Sequence, residues 1–140
     1  MDRYSPQWDS PESPRTVLLV EDDGQVRKWI HGRLERQGYN LLEACDGVDA
    51  MVIAELHQGP IHVLVTDVVM PRMNGPELVQ NLLRLRPDVR VLYISGYPAP
   101  ILEQQASLQP ESLYLQKPFR TKVLLEKIEA LLKAPTPAAE

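Results

Sequence analysis

The sequence has little of what several protein classes require. Its 140 residues include one cysteine, Cys45, which excludes a disulfide framework and any metal site built on cysteines. No apolar run approaches the roughly 20 residues that a membrane-spanning helix needs, and the first residues lack the apolar segment of a signal peptide. The net charge of −4 is opposite to the basic balance typical of nucleic-acid-binding modules. We therefore expect a cytoplasmic protein with no membrane insertion and no direct contact with nucleic acid.

What is present indicates one domain between two flexible ends. The leader at 1–15 combines prolines with Ser, Asp and Glu and has no apolar period, and the tail at 135–140 is similar. Between them, at 16–134, short apolar or β-branched runs alternate with segments whose apolar residues recur every three or four positions. The runs predict strands at 16–20, 40–44, 61–66, 89–94 and 113–116.

The intervening segments predict helices, and polar residues at the starts of two of them support this prediction. Asp46 is placed to cap the second helix, and Asn74 with Glu77 has the spacing of a capping box at the start of the third. A short fourth helix is expected within 101–107, inside a proline-rich stretch at 98–110 that we expect to be mobile. Five strands alternating with five helices predict an α/β fold, in which a doubly wound parallel sheet is covered on both faces.

Reactive side chains follow the predicted strands at their C-terminal ends. The acidic run at 21–23 follows the first strand, Asp67 ends the third, and Ser95 and Lys117 follow the fourth and fifth. Ligands of such sheets bind at this edge. Clustered carboxylates repel one another, and a hard divalent cation such as Mg²⁺ relieves that conflict. A carboxylate can also attack phosphorus, with ammonium and hydroxyl groups stabilising the transferred charge.

Four motifs in this order resemble those of the response-regulator receiver family. They are Val-Glu-Asp-Asp at 20–23, Thr-Asp-Val-Val-Met-Pro-Arg-Met-Asn-Gly at 66–75, Ile-Ser-Gly-Tyr at 94–97 and Lys-Pro-Phe at 117–119. The resemblance covers 16–134 and implies a flavodoxin-like (βα)5 three-layer sandwich with strand order 2-1-3-4-5. The second and third motifs are similar to those of receivers in hybrid sensor kinases. A stand-alone regulator and the terminal receiver of such a kinase therefore both stay open.

The resemblance implies a role for each residue at this edge. Asp67 would be the phosphoacceptor. Mg²⁺, for which Mn²⁺ could substitute, would be held by Glu21, Asp22, Asp67 and the backbone carbonyl of Val69. Lys117 would pair with the phosphoryl group, and the peptide bond to the proline that follows it would be cis.

The resemblance also implies a switch and its partners. Ser95 would move to contact the phosphoryl group, and Tyr114 would rotate inward with it. These movements would change the face formed by the fourth helix, the fifth strand and the fifth helix, which a downstream protein would contact. A histidine kinase or a histidine phosphotransfer domain would supply the phosphoryl group and dock on the first helix at Trp29 and Arg33, unless these residues form only a solvated face. Gly75 would permit a tight turn after the acceptor motif.

Two other functions compete with this prediction. A degenerate receiver would act as an unphosphorylated protein-binding module, although every expected pocket residue is present. An aspartyl-phosphate hydrolase would need a second Asp two positions after the nucleophile, where Val69 stands. We therefore expect no enzyme for external substrates, only a protein that catalyses its own phosphorylation and dephosphorylation. Val69 and Tyr97 are bulky and carry no carboxylate or amide to orient water, which further predicts a long-lived phosphoryl-aspartate.

Overall fold

Strands and helices alternate along the part of the chain that the structure, a computed structural model, describes: residues 14–96 and 113–133. The strands are β1 (Thr16–Val20), β2 (Asn40–Ala44), β3 (Val63–Asp67), β4 (Arg90–Ser95) and β5 (Leu113–Gln116). The helices are α1 (Gly24–Arg36), α2 (Gly47–Leu56), α3 (Gly75–Leu85) and α4 (Thr121–Lys133). Two strands, β3 and β4, end one residue later than predicted, because pairing continues past the apolar run to Asp67 and Ser95. None of the described helices combines the length and apolar character needed to cross a membrane.

The five described strands lie parallel in one sheet, in the order β2-β1-β3-β4-β5. This arrangement confirms the predicted doubly wound fold and its strand order. The strand order reverses where β1 pairs with both β2 and β3, which creates a switch point at the C-terminal strand ends. Val20 pairs with Thr66 across β1 and β3, so the residues that follow β1 lie beside Asp67.

Successive residues of the central strands supply two separate cores. Every residue of β1 and β3 is buried, as expected for parallel strands covered on both faces. Alternation sends Leu18 to the core under α2 and α3, and Leu19 to the core under α1 and α4. Each helix contributes apolar residues to one of these cores, such as Leu78 of α3 and Ile128 of α4.

Side-chain caps begin the helices nearest to the acceptor motif. The Asp46 carboxylate accepts a hydrogen bond from the Asp49 amide at 2.9 Å and caps α2, as predicted. At the start of α3, the Asn74 side chain accepts from the Glu77 amide at 2.9 Å, and the Glu77 side chain accepts from the Asn74 amide at 3.0 Å. The predicted capping box is thus confirmed, and it fixes where the segment after Asp67 becomes helical.

Several predictions concern residues outside the described ranges. They are the fourth helix within 101–107, the mobility of 98–110 and the role of Tyr97, together with residues 1–13 of the leader and the tail at 135–140. The last described helix, α4, is the one predicted as the fifth. The domain limits also stay predictions.

Candidate functional site

Three carboxylates converge where β1 and β3 end. Oxygen atoms of Glu21, Asp22 and Asp67 lie within 4.8 Å of one another. Glu21 is only 1% exposed and Asp67 only 8%, whereas Asp22 is open to solvent. The cluster forms because β1 and β3 are neighbours in the sheet although they are distant in sequence. The acidic edge predicted from the sequence is therefore assembled at the switch point.

Lys117 connects the two buried carboxylates. Its Nζ donates to Glu21 Oε1 at 2.8 Å and to Asp67 Oδ2 at 3.2 Å. Its backbone N–H donates to the Ser95 carbonyl at 2.7 Å, which holds the end of β5 against β4. Burial opposes the charge of Lys117, but the hydrogen bond to Glu21 and the charge of Asp67 prevail, so its pKa is raised. The Lys117–Pro118 peptide bond is cis, as the resemblance implies.

The pocket holds more negative charge than one ammonium group balances. Burial raises the pKa of Glu21 to about 7; the charge of Asp67 also raises it, while the hydrogen bond from Lys117 lowers it. A cation held between the carboxylates would remove this conflict. All the candidate ligands are oxygen atoms, which suits a hard cation such as Mg²⁺ better than Zn²⁺ or Cu²⁺. The residues present therefore fit the cofactor that the resemblance implies.

The remaining pocket residues lie along the same sheet edge. Oδ1 of Asp67 accepts a hydrogen bond from the Val68 amide at 2.9 Å, and its other oxygen, Oδ2, is turned toward Lys117. Ser95 ends β4 one position beyond Ile94, the partner of Asp67 in the ladder, and is 1% exposed. Val69, two positions after Asp67, is 59% exposed.

Comparison with known proteins agrees with this arrangement. The sequence model of the family described as response regulator receiver domain matches residues 17–129. Response regulator receiver protein CpdR of Brucella abortus (strain 2308) is 32% identical over 120 residues, which are 86% of this chain and 98% of CpdR. This chain belongs to the response regulator receiver domain family. It is a phosphoacceptor receiver of two-component signalling, as predicted, and the alternative of an unphosphorylated binding module is not favoured.

Another relative carries a similar receiver within a much longer protein. Sensor kinase CckA of Brucella abortus (strain 2308) is 36% identical over 118 residues, which are 84% of this chain but 12% of the kinase. The crystal structure of the receiver domain from hybrid histidine kinase CckA is 34% identical, with a TM-score of 0.73, and the match covers 84% of this chain and 99% of that domain. The relatives thus include both settings that the sequence left open.

The candidate switch tyrosine of the receiver lies on β5. Tyr114 is half-buried and packs against the core under α2 and α3. Its hydroxyl is buried and has no hydrogen-bond partner among residues 14–96 and 113–133. Burial raises the pKa of Tyr114. The position is compatible with a side chain that can change its surroundings.

The candidate docking residues form an aromatic platform beside the pocket. Trp29 is 37% exposed, and its ring centroid lies 5.8 Å from that of Phe119. The Arg33 guanidinium lies 4.8 Å from the Trp29 ring centroid, and Arg33 Nε donates to Thr121 Oγ1 at 3.2 Å. A mainly apolar cavity of about 280 Å³ is lined by Val26, Trp29, Lys117, Pro118 and Phe119. The platform therefore reaches the acceptor pocket through the lysine that both share.

Sequence reasoning missed Arg27, which supports the acidic run. Arg27 Nη1 donates to the backbone carbonyl of Glu21 at 2.6 Å, and its Nε donates to Glu43 Oε1 at 3.3 Å. An arginine on an amphipathic helix usually faces solvent, so the sequence carries no local sign of this contact. The contact depends on α1 and β2 lying side by side in the fold.

The reason for Gly75 differs from the expectation. Positive φ angles occur at Gly38 and Gly59 among the described glycines, but Gly75 has an ordinary φ as the first residue of α3. A Cβ added at Gly75 would lie 2.5 Å from the backbone carbonyl oxygen of Asp67. Glycine is needed there for the close approach of α3 to the acceptor residue.

Proposed function

We propose that Asp67 accepts a phosphoryl group from a phosphohistidine partner and thereby controls a conformational switch. The observation that carries this proposal is the 3.2 Å distance between Lys117 Nζ and Asp67 Oδ2 within the cluster of three carboxylates. Phosphoryl transfer needs a positioned nucleophile and fixed positive charge around the transferred group. Asp67 provides the positioned nucleophile. Lys117 provides fixed positive charge, and a cation bound between the carboxylates would provide more.

The proposed transfer uses the oxygen of Asp67 that faces Lys117. Oδ2 attacks phosphorus, because Oδ1 is held by the Val68 amide. As the O–P bond forms, the P–N bond to the donor imidazole breaks. The imidazole carries a proton on its other nitrogen and leaves as the neutral ring with the electron pair of the broken bond. The Lys117 ammonium stabilises the negative charge on the phosphoryl oxygens, and the Ser95 hydroxyl would donate a hydrogen bond to the same oxygens on activation.

The proposed cofactor is Mg²⁺, with Mn²⁺ as a substitute, because both prefer oxygen ligands. The ligands would be Glu21, Asp22, Asp67 and the backbone carbonyl of Val69. When bound, the cation would neutralise charge on the transferring group. The convergence of oxygen atoms from Glu21, Asp22 and Asp67 within 4.8 Å of one another supports this assignment.

The proposed donor is a histidine kinase or a histidine phosphotransfer domain, which docks on Trp29 and Arg33. A phosphohistidine must enter the pocket beside Lys117, and the apolar cavity between Trp29 and that lysine lies on this side. A half-exposed aromatic side chain with an arginine stacked on it is the combination found at binding hot spots. The names of the relatives, a sensor kinase and response regulators, support the same class of partner.

The proposed output is protein contact through a face that includes β5 and α4, controlled by Ser95 and Tyr114. The buried Tyr114 hydroxyl has no hydrogen-bond partner in the described ranges 14–96 and 113–133. This supports the role, because a polar group without a hydrogen bond gains from an alternative position. The net charge of −4 supports a protein rather than a nucleic acid as the direct target. We propose no reaction on an external substrate, since Val69 replaces the acid that a hydrolase needs.

The test is intact-mass spectrometry after incubation with acetyl phosphate and MgCl₂. We expect one phosphoryl increment, lost in Asp67→Asn and in EDTA, and retained in the control Asp88→Asn, which changes an exposed aspartate of the α3–β4 connection. If the wild type gains no increment, Mg²⁺ and beryllofluoride binding separate two explanations. Binding would indicate a pocket that requires its protein donor, whereas no binding would indicate the degenerate module.

The docking proposal has its own test, with a phosphorylated histidine phosphotransfer domain as the donor. Trp29→Ala should slow transfer from this donor and leave phosphorylation by acetyl phosphate unchanged. Leu56→Ala is the matched control, since Leu56 is 74% exposed on a different helix, α2. Equal slowing with both donors would contradict a docking role and point to damage of the pocket.

A further inference from the structure

The segment between β3 and α3 contains a strained turn. We name residues 68–74 the acceptor loop, since they follow Asp67 directly. Arg72 has a φ of +68°, which side-chain-bearing residues rarely adopt. The Met73 amide donates to the Pro71 carbonyl at 2.7 Å, so the chain reverses around Arg72 alone. A three-residue turn with a positive central φ is rare and strained, and such strain persists only where surrounding contacts enforce it.

Arg72 forms an ion pair with Asp46. Arg72 Nε and Nη2 both donate to Asp46 Oδ2, at 2.8 and 2.6 Å. The other oxygen of Asp46 caps α2 through the Asp49 amide. The amide of Asp49 and the guanidinium of Arg72 hold the pKa of Asp46 below its usual value. The loop is therefore anchored to the fixed end of a packed helix.

Backbone and packing contacts confine the rest of the loop. Met73 lies directly against Gly47, where an added Cβ would be 2.7 Å from the Met73 Cβ. The Gly75 amide donates to the Val68 carbonyl at 2.8 Å. Val69 is 59% exposed, and its carbonyl is the proposed backbone ligand of the cation. The anchored loop thus carries one ligand of the proposed metal site.

We propose that Asp46 and Arg72 are positioning residues for the divalent-cation site: their ion pair holds the acceptor loop in its strained turn, so that the Val69 carbonyl is preorganised for the cation. The inference rests on the proposed function, because it concerns the cation site proposed there. Groups that orient metal ligands without touching the metal commonly change its affinity by roughly 10- to 100-fold when removed. Because Asp46 and Arg72 would act through the loop backbone, we expect a smaller change in cation affinity when their ion pair is removed.

Simple electrostatics predicts the opposite result, which makes the proposal decidable. Removing Arg72 deletes one positive charge and leaves Asp46 unpaired near the acidic pocket. On charge alone, the protein should then bind Mg²⁺ more tightly. If the ion pair positions the loop, the same change should weaken binding. The sign of the change in affinity therefore separates the two accounts.

The experiment is calorimetric titration of the full chain with MgCl₂, with urea unfolding in EDTA measured in parallel. Arg72→Gly removes the side chain and keeps a residue that accepts the positive φ. We expect its Kd for Mg²⁺ to rise about 3- to 10-fold, with partial recovery in Arg72→Lys and no change in the control Arg84→Ala on the exposed face of α3. Hydrogen exchange of the Met73 amide in EDTA should accelerate in Arg72→Gly.

A second variant approaches the pair from the other side. Asp46→Asn keeps a good helix cap and removes the charge that Arg72 contacts. It should weaken Mg²⁺ binding by a similar factor, and the double variant should bind no more weakly than either single one. Unchanged or tighter binding in Arg72→Gly would overturn the positioning role. A wild type that binds no Mg²⁺ would instead refute the proposed function, and this inference with it.

Discussion

The close approach of α3 to the acceptor residue offers a direct test of how the fold positions the chemistry. In Gly75→Ala, the new Cβ would lie 2.5 Å from the Asp67 carbonyl oxygen, 3.1 Å from the Val68 Cα and 3.3 Å from the Tyr93 ring. The first two neighbours are backbone atoms, which cannot rotate away. Either α3 or the end of β3 must therefore move by several tenths of an ångström.

The expected magnitude follows from two opposing effects. Overpacking of this kind destabilises a protein by about 1–3 kcal/mol. Alanine is better than glycine in a helix by up to about 1 kcal/mol, which offsets part of that loss at the start of α3. We expect a net destabilisation of about 1–2 kcal/mol. The rate of phosphorylation should also fall, and by a larger factor than the stability loss alone would cause, because a shift near 1 Å of a reacting group can lower a rate by about 100-fold.

The assay combines urea unfolding with the rate of the mass increment from acetyl phosphate and MgCl₂. The matched control is Gly32→Ala, because Gly32 lies within α1 and no atom would approach its added Cβ within 4 Å. The control should gain up to about 1 kcal/mol and keep its phosphorylation rate. A Gly75→Ala protein with wild-type stability and rate would refute the claim that close packing of α3 fixes Asp67.

Three further predictions concern other parts of the receiver. Arg86 donates hydrogen bonds to the carbonyl of Ala54 within α2 and to those of His57 and Gly59 after it, at 2.7 to 3.3 Å. Arg86→Met should therefore lower the urea-unfolding free energy by about 2–4 kcal/mol; a loss below about 0.5 kcal/mol would contradict this role. The pKa of Asp46 is lower in the folded state than in the unfolded state. Its contribution to stability is therefore complete above about pH 4 and is lost as the pH falls through the folded-state pKa. Asp46→Asn should not show this loss of stability in acid unfolding, and a variant whose stability falls with pH in parallel with the wild type would contradict the prediction. The exposed Val69 side chain cannot orient water, so Val69→Asn should shorten the lifetime of the phosphorylated protein severalfold, measured by decay of the mass increment; an unchanged lifetime would remove this explanation.

The fold and the centre of the site could be predicted because each depends on local patterns. Buried apolar runs identify parallel strands, and the sheet rule places whatever follows them at one edge. Asp67 and Lys117 are 50 residues apart, yet both follow strands, so their contact follows from topology. The caps of α2 and α3 were predictable for a similar reason, since a cap involves residues within three positions of each other.

The supporting contacts could not be predicted because nothing local encodes them. Arg72 and Asp46 meet across 26 positions, from a loop to a helix end, and neither residue type is unusual in its place. The contact of Arg27 with the Glu21 carbonyl depends on the rotation of α1 about its axis. Sequence periods define such rotations only to within a broad apolar stripe. The residues that form the site can therefore be predicted from the sequence, whereas the residues that support it can be identified only from the structure.

Two features of the described residues bear on how modification of the proposed acceptor residue would act as a switch. A ligand shifts a conformational equilibrium only by its differential affinity for the two states. The first is the Glu21 carboxylate: burial raises its pKa to about 7 and the charge of Asp67 adds to that rise, although Lys117 donates a hydrogen bond to both carboxylates. The second is the Tyr114 hydroxyl, on β5 beside the strand that ends in Ser95, which is buried and has no hydrogen-bond partner within residues 14–96 and 113–133. A bound cation would offset the repulsion between the two carboxylates, whereas phosphorylation of Asp67 would add negative charge for the Lys117 ammonium and the cation to stabilise. In the proposed switch, Ser95 would move toward the phosphoryl group and Tyr114 would follow it. The switch we propose would therefore draw its free energy from the new contacts of the phosphoryl group and from a change in the surroundings of the Tyr114 hydroxyl.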